Sequence, residues 1–99
     1  MPKLLIKTGE KKGEVYKLND EIMTIGRDNS NFIVILDRRG SRKHARIMRK
    51  GKDYILEDMN STNHTFVNNQ SITKHTLKVG DEIRIGGTVL AFLSLSAPE

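Results

Sequence analysis

Ninety-nine residues, of which 27 are Leu, Ile, Val or Phe, make one packed domain and leave no room for a second independent core. The lack of cysteine excludes a disulfide scaffold, a zinc-thiolate site and a cysteine nucleophile, and it fits a reducing compartment. The net charge is +5, but the sixteen residues from Asp37 to Lys52 carry +7 and the other 83 carry −2, so the excess points to an anionic partner at one place.

Taken in chain order, short runs of β-branched and aliphatic residues alternate with turn signals, which predicts strands. Lys3–Thr8 is closed by Gly9 and Gly13. Glu14–Leu18 ends at Asn19-Asp20, and Ile22–Ile25 stops at Gly26. Phe32–Leu36 stops at a turn, Asp37-Arg38-Arg39-Gly40. Lys43–Arg49 and Asp53–Glu57 flank Lys50-Gly51-Lys52, a hairpin signal. A helix over Ser41–Lys50 is the rival reading there, but Ala45, Ile47 and Met48 do not form a helical stripe. Thr65–Val67 runs into Asn68-Asn69. Glu82–Ile85 turns through Gly86-Gly87 into Thr88–Leu95, which is apolar on both faces and therefore central. Many short strands in a small domain predict an all-β chain folded as a β-sandwich. The domain is expected over residues 1–94, with 95–99 a tail or the start of a linker to a longer parent chain. The longest apolar run near the start, Leu4-Leu5-Ile6, is too short for a signal peptide or a membrane span, so the chain reads as soluble and cytoplasmic.

Several chemistries lack their residues. His44, His64 and His75 stand 20 and 11 residues apart with no thiolate to join them, so no metal site is expected. Ser41-x-x-His44 has the composition of a nucleophile and base, but positions i and i+3 of a strand point to opposite faces. A ring with one donor and one acceptor is more ordinarily a post that pins a loop, and His44 reads that way. No phosphate-cradling Gly run is followed by a helix. The chain reads as a non-enzyme with no cofactor. A basic nucleic-acid-binding β domain is the first alternative, although Tyr54 is the one aromatic near the basic stretch and no stacking platform is visible.

Three turn segments share one chemistry. Gly26-Arg27, Ser41-Arg42-Lys43-His44 and Asp58-Met59-Asn60-Ser61-Thr62-Asn63-His64-Thr65 each offer guanidinium, hydroxyl or amide donors. A phosphate dianion has three terminal oxygens, so donors must converge on it from several directions.

In order and spacing, Gly26-Arg27, Ser41-Arg42-Lys43-His44, Ser61-Thr62-Asn63-His64-Thr65 and Gly80-Asp81 resemble the sequence pattern of the forkhead-associated domain, across about Ile22 to Leu93. The resemblance implies an eleven-stranded β-sandwich that binds phosphothreonine peptides through loops at one end, as a docking module in Ser/Thr kinase signalling. By carry-over, Arg27, Ser41 and Arg42 contact the phosphate. Thr62 lies near the phosphothreonine and Asn63 against the ligand backbone. Gly26 and His44 are structural, with His44 bracing the loops. Arg38, Arg39 and Lys43 are placed to tune residues beside the phosphothreonine. His64 departs from the pattern, which has Gly there, and so is expected at φ > 0 and as a possible ligand contact. Asn69 replaces another usual Gly. The second alternative is a degenerate member that serves as a structural or oligomerising module.

Overall fold

A computed structural model describes residues 2–94. Eleven strands lie among them: β1 Pro2–Ile6, β2 Val15–Lys17, β3 Ile22–Gly26, β4 Ile33–Val34, β5 Ala45–Lys50, β6 Asp53–Asp58, β7 Thr65–Val67, β8 Gln70–Ile72, β9 Lys74–Thr76, β10 Glu82–Ile85 and β11 Thr88–Ser94. They form two sheets, β2-β1-β11-β10-β7-β8 and β4-β3-β5-β6-β9. The expected tail, 95–99, lies outside the described residues. Among the described residues, no helix is long and apolar enough to cross a membrane.

The core follows the period-2 pattern. Leu4 and Ile6 on β1, Met23 and Ile25 on β3, Ala45 and Ile47 on β5, and Ile83 and Ile85 on β10 are all buried between the sheets. Each fully buried Ile or Leu contributes roughly 1.5–3 kcal/mol. β11 is central, paired to β1 on one side and β10 on the other, and buries Leu90, Ala91 and Phe92 in succession. The rival helix does not form: residues 45–50 pair with both β3 and β6.

Several expected boundaries shift: Lys3–Thr8 becomes Pro2–Ile6 and Glu14–Leu18 becomes Val15–Lys17, and three other shifts bear on the loops. Phe32–Leu36 contributes only Ile33–Val34 to the ladder, beside β3 in the one parallel pairing among those described. The strand expected from Lys43 starts at Ala45, because the chain bends at Arg42-Lys43; the His44 N–H, next in line, already bonds the Ile25 carbonyl of β3. Gly26 is the last residue of β3 rather than a loop residue.

Antiparallel alternation decides where the loops gather. β3 ends, β5 begins and β6 ends on the same side of their sheet. The connections 27–32, 35–44 and 59–64 therefore emerge at one end of the sandwich. The Gly51-Lys52 hairpin lies at the other end, after β5. This divides the basic stretch. Arg38, Arg39, Arg42 and Lys43 stand at the loop end, Arg49, Lys50 and Lys52 at the hairpin end, and Arg46 pairs with Glu57 at 2.8 Å between them. The excess charge is thus not at one place.

Candidate functional site

Backbone contacts bring the loops together. Gly26 permits the closest of them: a Cβ there would stand 2.2 Å from the Arg42 carbonyl oxygen and 2.8 Å from Asn31 Nδ2. The Arg27 N–H donates to the Ser41 carbonyl at 3.0 Å, and the Asp28 N–H to the Arg42 carbonyl at 3.2 Å. Asn31, buried, donates Nδ2 to the carbonyls of both Asp28 and Arg42, at 2.8 and 2.7 Å. It closes the short 27–32 connection onto the next loop.

Within this frame the side chains sort by engagement. Arg27 is exposed; its Nε donates to the Gly40 carbonyl at 2.9 Å, which leaves both terminal nitrogens uncommitted. Ser41 Oγ accepts the Thr62 N–H at 3.2 Å and keeps its own hydrogen to donate. Asn63 donates Nδ2 to the Arg39 carbonyl at 2.9 Å. Lys43 reaches Ser30 Oγ at 3.1 Å, and Arg39 pairs with Asp37 at 3.1 Å. Among the described residues, neither the Arg38 nor the Arg42 side chain has a hydrogen-bond or ion-pair partner.

His44 is fully buried and bonded on both ring nitrogens. Nδ1 accepts the Ser41 N–H at 2.9 Å, which assigns the proton to Nε2, and Nε2 donates to the His64 carbonyl at 2.8 Å. Its partner on Ser41 is the backbone, not the hydroxyl, so the pair has no nucleophile–base geometry. The ring ties loop 35–44 to loop 59–64. His64 itself has φ 68° and lies edge-on to Phe66, with centroids 6.5 Å apart. Holding a side chain in that left-handed region costs on the order of 1 kcal/mol. Asn68 and Asn69, at φ 50° and 71°, form the two-residue hairpin turn expected of them.

Asp58 fastens the third loop. Its carboxylate accepts the Ser61 N–H at 3.0 Å, the Ser61 hydroxyl at 2.5 Å and the Thr65 hydroxyl at 2.7 Å. Burial alone would push its carboxyl up, but these bonds outweigh burial and hold it below the ordinary value of 3.8. A group lowered by folding contributes stability in full above its unfolded value, and that contribution is lost as pH falls through the folded value. The urea midpoint is therefore expected to drop below about pH 4, and to drop less steeply in Asp58→Asn. Identical profiles for the two proteins would remove Asp58 from this role.

Sequence reasoning did not single out Asn31, Asp37 or Asp58. Turn signals existed at Asp58-x-x-Ser61 and Asp37-Arg38-Arg39-Gly40 without showing what each carboxylate would hold; nothing local marked Asn31. Among the described residues, no three His, Asp or Glu side chains cluster to hold a metal ion.

A sequence model of the FHA domain matches residues 23–86. The chain is 36% identical over 91 residues to the oxoglutarate dehydrogenase inhibitor of Corynebacterium jeikeium, covering 92% of this chain and 63% of that protein. It is 32% identical over 91 residues to the glycogen accumulation regulator GarA of Mycobacterium tuberculosis, covering 92% and 56%. The chain thus spans little more than half the length of these relatives. Among solved structures, the FhaA FHA domain complexed with the intracellular domain of Rv3910 superposes with a TM-score of 0.87 at 33% identity, covering 93% of this chain and 99% of that one. Mycobacterium tuberculosis EmbR in complex with a low affinity phosphopeptide gives a TM-score of 0.89 at 30% identity, over 99% of this chain and 25% of that one.

Proposed function

The chain belongs to the forkhead-associated domain family, and on that premise we propose that its loop end docks phosphothreonine-containing partners of Ser/Thr kinases. The supporting observation is the convergence of Arg27, Ser41 and Arg42 on one end of the sandwich, joined by the Arg27–Ser41 and Arg27–Gly40 bonds. Two guanidinium groups and a hydroxyl supply the charge-assisted donors that a phosphate carrying about −1.5 to −2 charge requires. Thr62 and Asn63 lie beside them for the peptide, and Arg38 stands free to meet an acidic neighbour. Gly26 and His44 are structural in this reading. The EmbR phosphopeptide complex and the FhaA complex with an intracellular domain support partners of this kind. The activity is binding, not catalysis, and its setting is the cytoplasm.

Titration with one peptide in phosphothreonine, phosphoserine, glutamate and unphosphorylated forms tests the proposal. Phosphothreonine is expected to bind tightest and phosphoserine about fourfold more weakly, the worth of one buried methyl. A carboxylate offers one charge and a planar pair of oxygens, so the glutamate and unphosphorylated peptides should not bind measurably. Equal binding of all four forms would overturn the proposal. DNA binding that falls steeply with salt in place of peptide binding would favour the nucleic-acid alternative.

A further inference from the structure

Asp37 opens the turn that ends at Gly40, whose N–H bonds the Asp37 carbonyl at 2.9 Å. Its carboxylate collects four donors. Oδ1 accepts the Arg39 N–H at 2.9 Å and Arg39 Nε at 3.1 Å. Oδ2 accepts Arg39 Nη2 at 3.1 Å and the Gly87 N–H at 2.8 Å. The last bond crosses 50 residues of sequence and joins loop 35–44 to the β10–β11 turn.

That turn is shaped around the carboxylate. Gly86, at φ 60°, comes so near that a Cβ would stand 2.8 Å from Asp37 Oδ1. Thr8 holds the turn from the other side: its hydroxyl donates to the Gly87 carbonyl at 2.9 Å and accepts the Val89 N–H at 3.0 Å. The Arg39 carbonyl shares its peptide plane with the Gly40 N–H, which the Asp37 carbonyl holds, and the Asp37 carboxylate holds the N–H and guanidinium of Arg39, so both sides of residue 39 are fixed from Asp37 and its carbonyl has a set direction. That carbonyl is the acceptor of Asn63 Nδ2. A hydrogen-bonded chain therefore runs Thr8–Gly87–Asp37–Arg39–Asn63 across the loop end.

We propose that Asp37 is a positioning residue for peptide recognition: it clamps loop 35–44 to the β10–β11 turn and orients Asn63 through the Arg39 carbonyl. The inference rests on the phosphothreonine-peptide function proposed above and adds to it how the peptide side of that site is held. In this account Arg39 is a strut rather than a reader of flanking residues, and Arg38 alone of the two faces the ligand. The Arg39 side chain, then the Arg39 and Gly87 N–H groups, hold the Asp37 carboxyl well below the usual carboxylate range, so it is ionised wherever binding is measured.

A double-mutant cycle tests this. Asp37→Asn, Asn63→Ala and the pair are titrated with one phosphothreonine peptide and with N-acetyl-phosphothreonine amide, and ¹⁵N spectra are recorded without ligand. Asp37→Asn should weaken the peptide roughly 3- to 10-fold, with less than about twofold further loss in the Asn63→Ala background. The capped phosphothreonine should be unaffected by Asp37→Asn, and the Asn63 side-chain amide resonance should move. Gly86→Ala, which displaces the carboxylate from the other side, should reproduce the resonance shift and decides the matter if Asp37→Asn does not fold. Additive losses, an equal loss for the capped phosphothreonine, or an unmoved Asn63 resonance in the folded variants would overturn the proposal. If the wild type binds no phosphopeptide, the functional reading fails on its own, while the resonance shift still decides whether Asp37 positions Asn63.

Discussion

Arg27→Ala is expected to lower affinity for a phosphothreonine peptide by about 10- to 150-fold from one lost charge-assisted bond, and further if the contact is bidentate. The geometry supports the large end. Arg27 uses Nε on the Gly40 carbonyl, which locks the plane of the guanidinium and leaves the two terminal nitrogens as a fork. A lysine cannot hold the carbonyl and present a fork at once, so Arg27→Lys should recover little of the loss. The cost to folding is small by comparison. One neutral acceptor at a partly exposed site loses its donor, about 0.5–1.5 kcal/mol, which lowers Tm by a few degrees in a domain of this size. Isothermal titration and a thermal melt on the same preparation check both halves. Affinity within about twofold of wild type would place the phosphate elsewhere.

Legibility followed the range of the interaction. The core strands were visible because alternation at Leu4/Ile6, Met23/Ile25 and Ile83/Ile85 needs only neighbouring residues. β8 and β9 were not, because Gln70–Ile72 and Lys74–Thr76 carry one apolar residue between them and sit at sheet edges, where three residues show no period. β4 was overextended for the opposite reason. Ile33 and Ile35 are both buried, yet Ile35 satisfies its N–H on the Gly26 carbonyl beyond the end of the ladder. At the site, Arg27, Ser41, Arg42 and Asn63 could be picked out by spacing against a known pattern. Asp37 could not, because its meaning comes from Gly87, half the chain away. The basic stretch was legible as charge and misleading as geometry: a six-residue strand carries three of its eight basic residues to the opposite end.

His44→Ala is expected to act on stability before it acts on binding. The imidazole is wholly buried, and the two groups it satisfies are backbone groups that cannot turn away: the Ser41 N–H and the His64 carbonyl. Removing the ring leaves both without a partner, at about 1–3 kcal/mol each, and opens a cavity that adds to the cost. A loss of at least roughly 2 kcal/mol, and as much as about 6, is a large share of the roughly 5–15 kcal/mol that holds a typical domain, and it corresponds to a fall in Tm of at least about 8 °C. Peptide affinity should fall too, because the ring joins the loop that carries Ser41 to the loop that carries Thr62 and Asn63. That fall should shrink when binding is measured at low temperature and scaled to the folded fraction, since the donors themselves are all still present. A thermal melt beside titrations at about 10 °C and 25 °C separates the two effects. An unchanged Tm with lost binding at both temperatures would make His44 a ligand contact and remove it as the post between the loops.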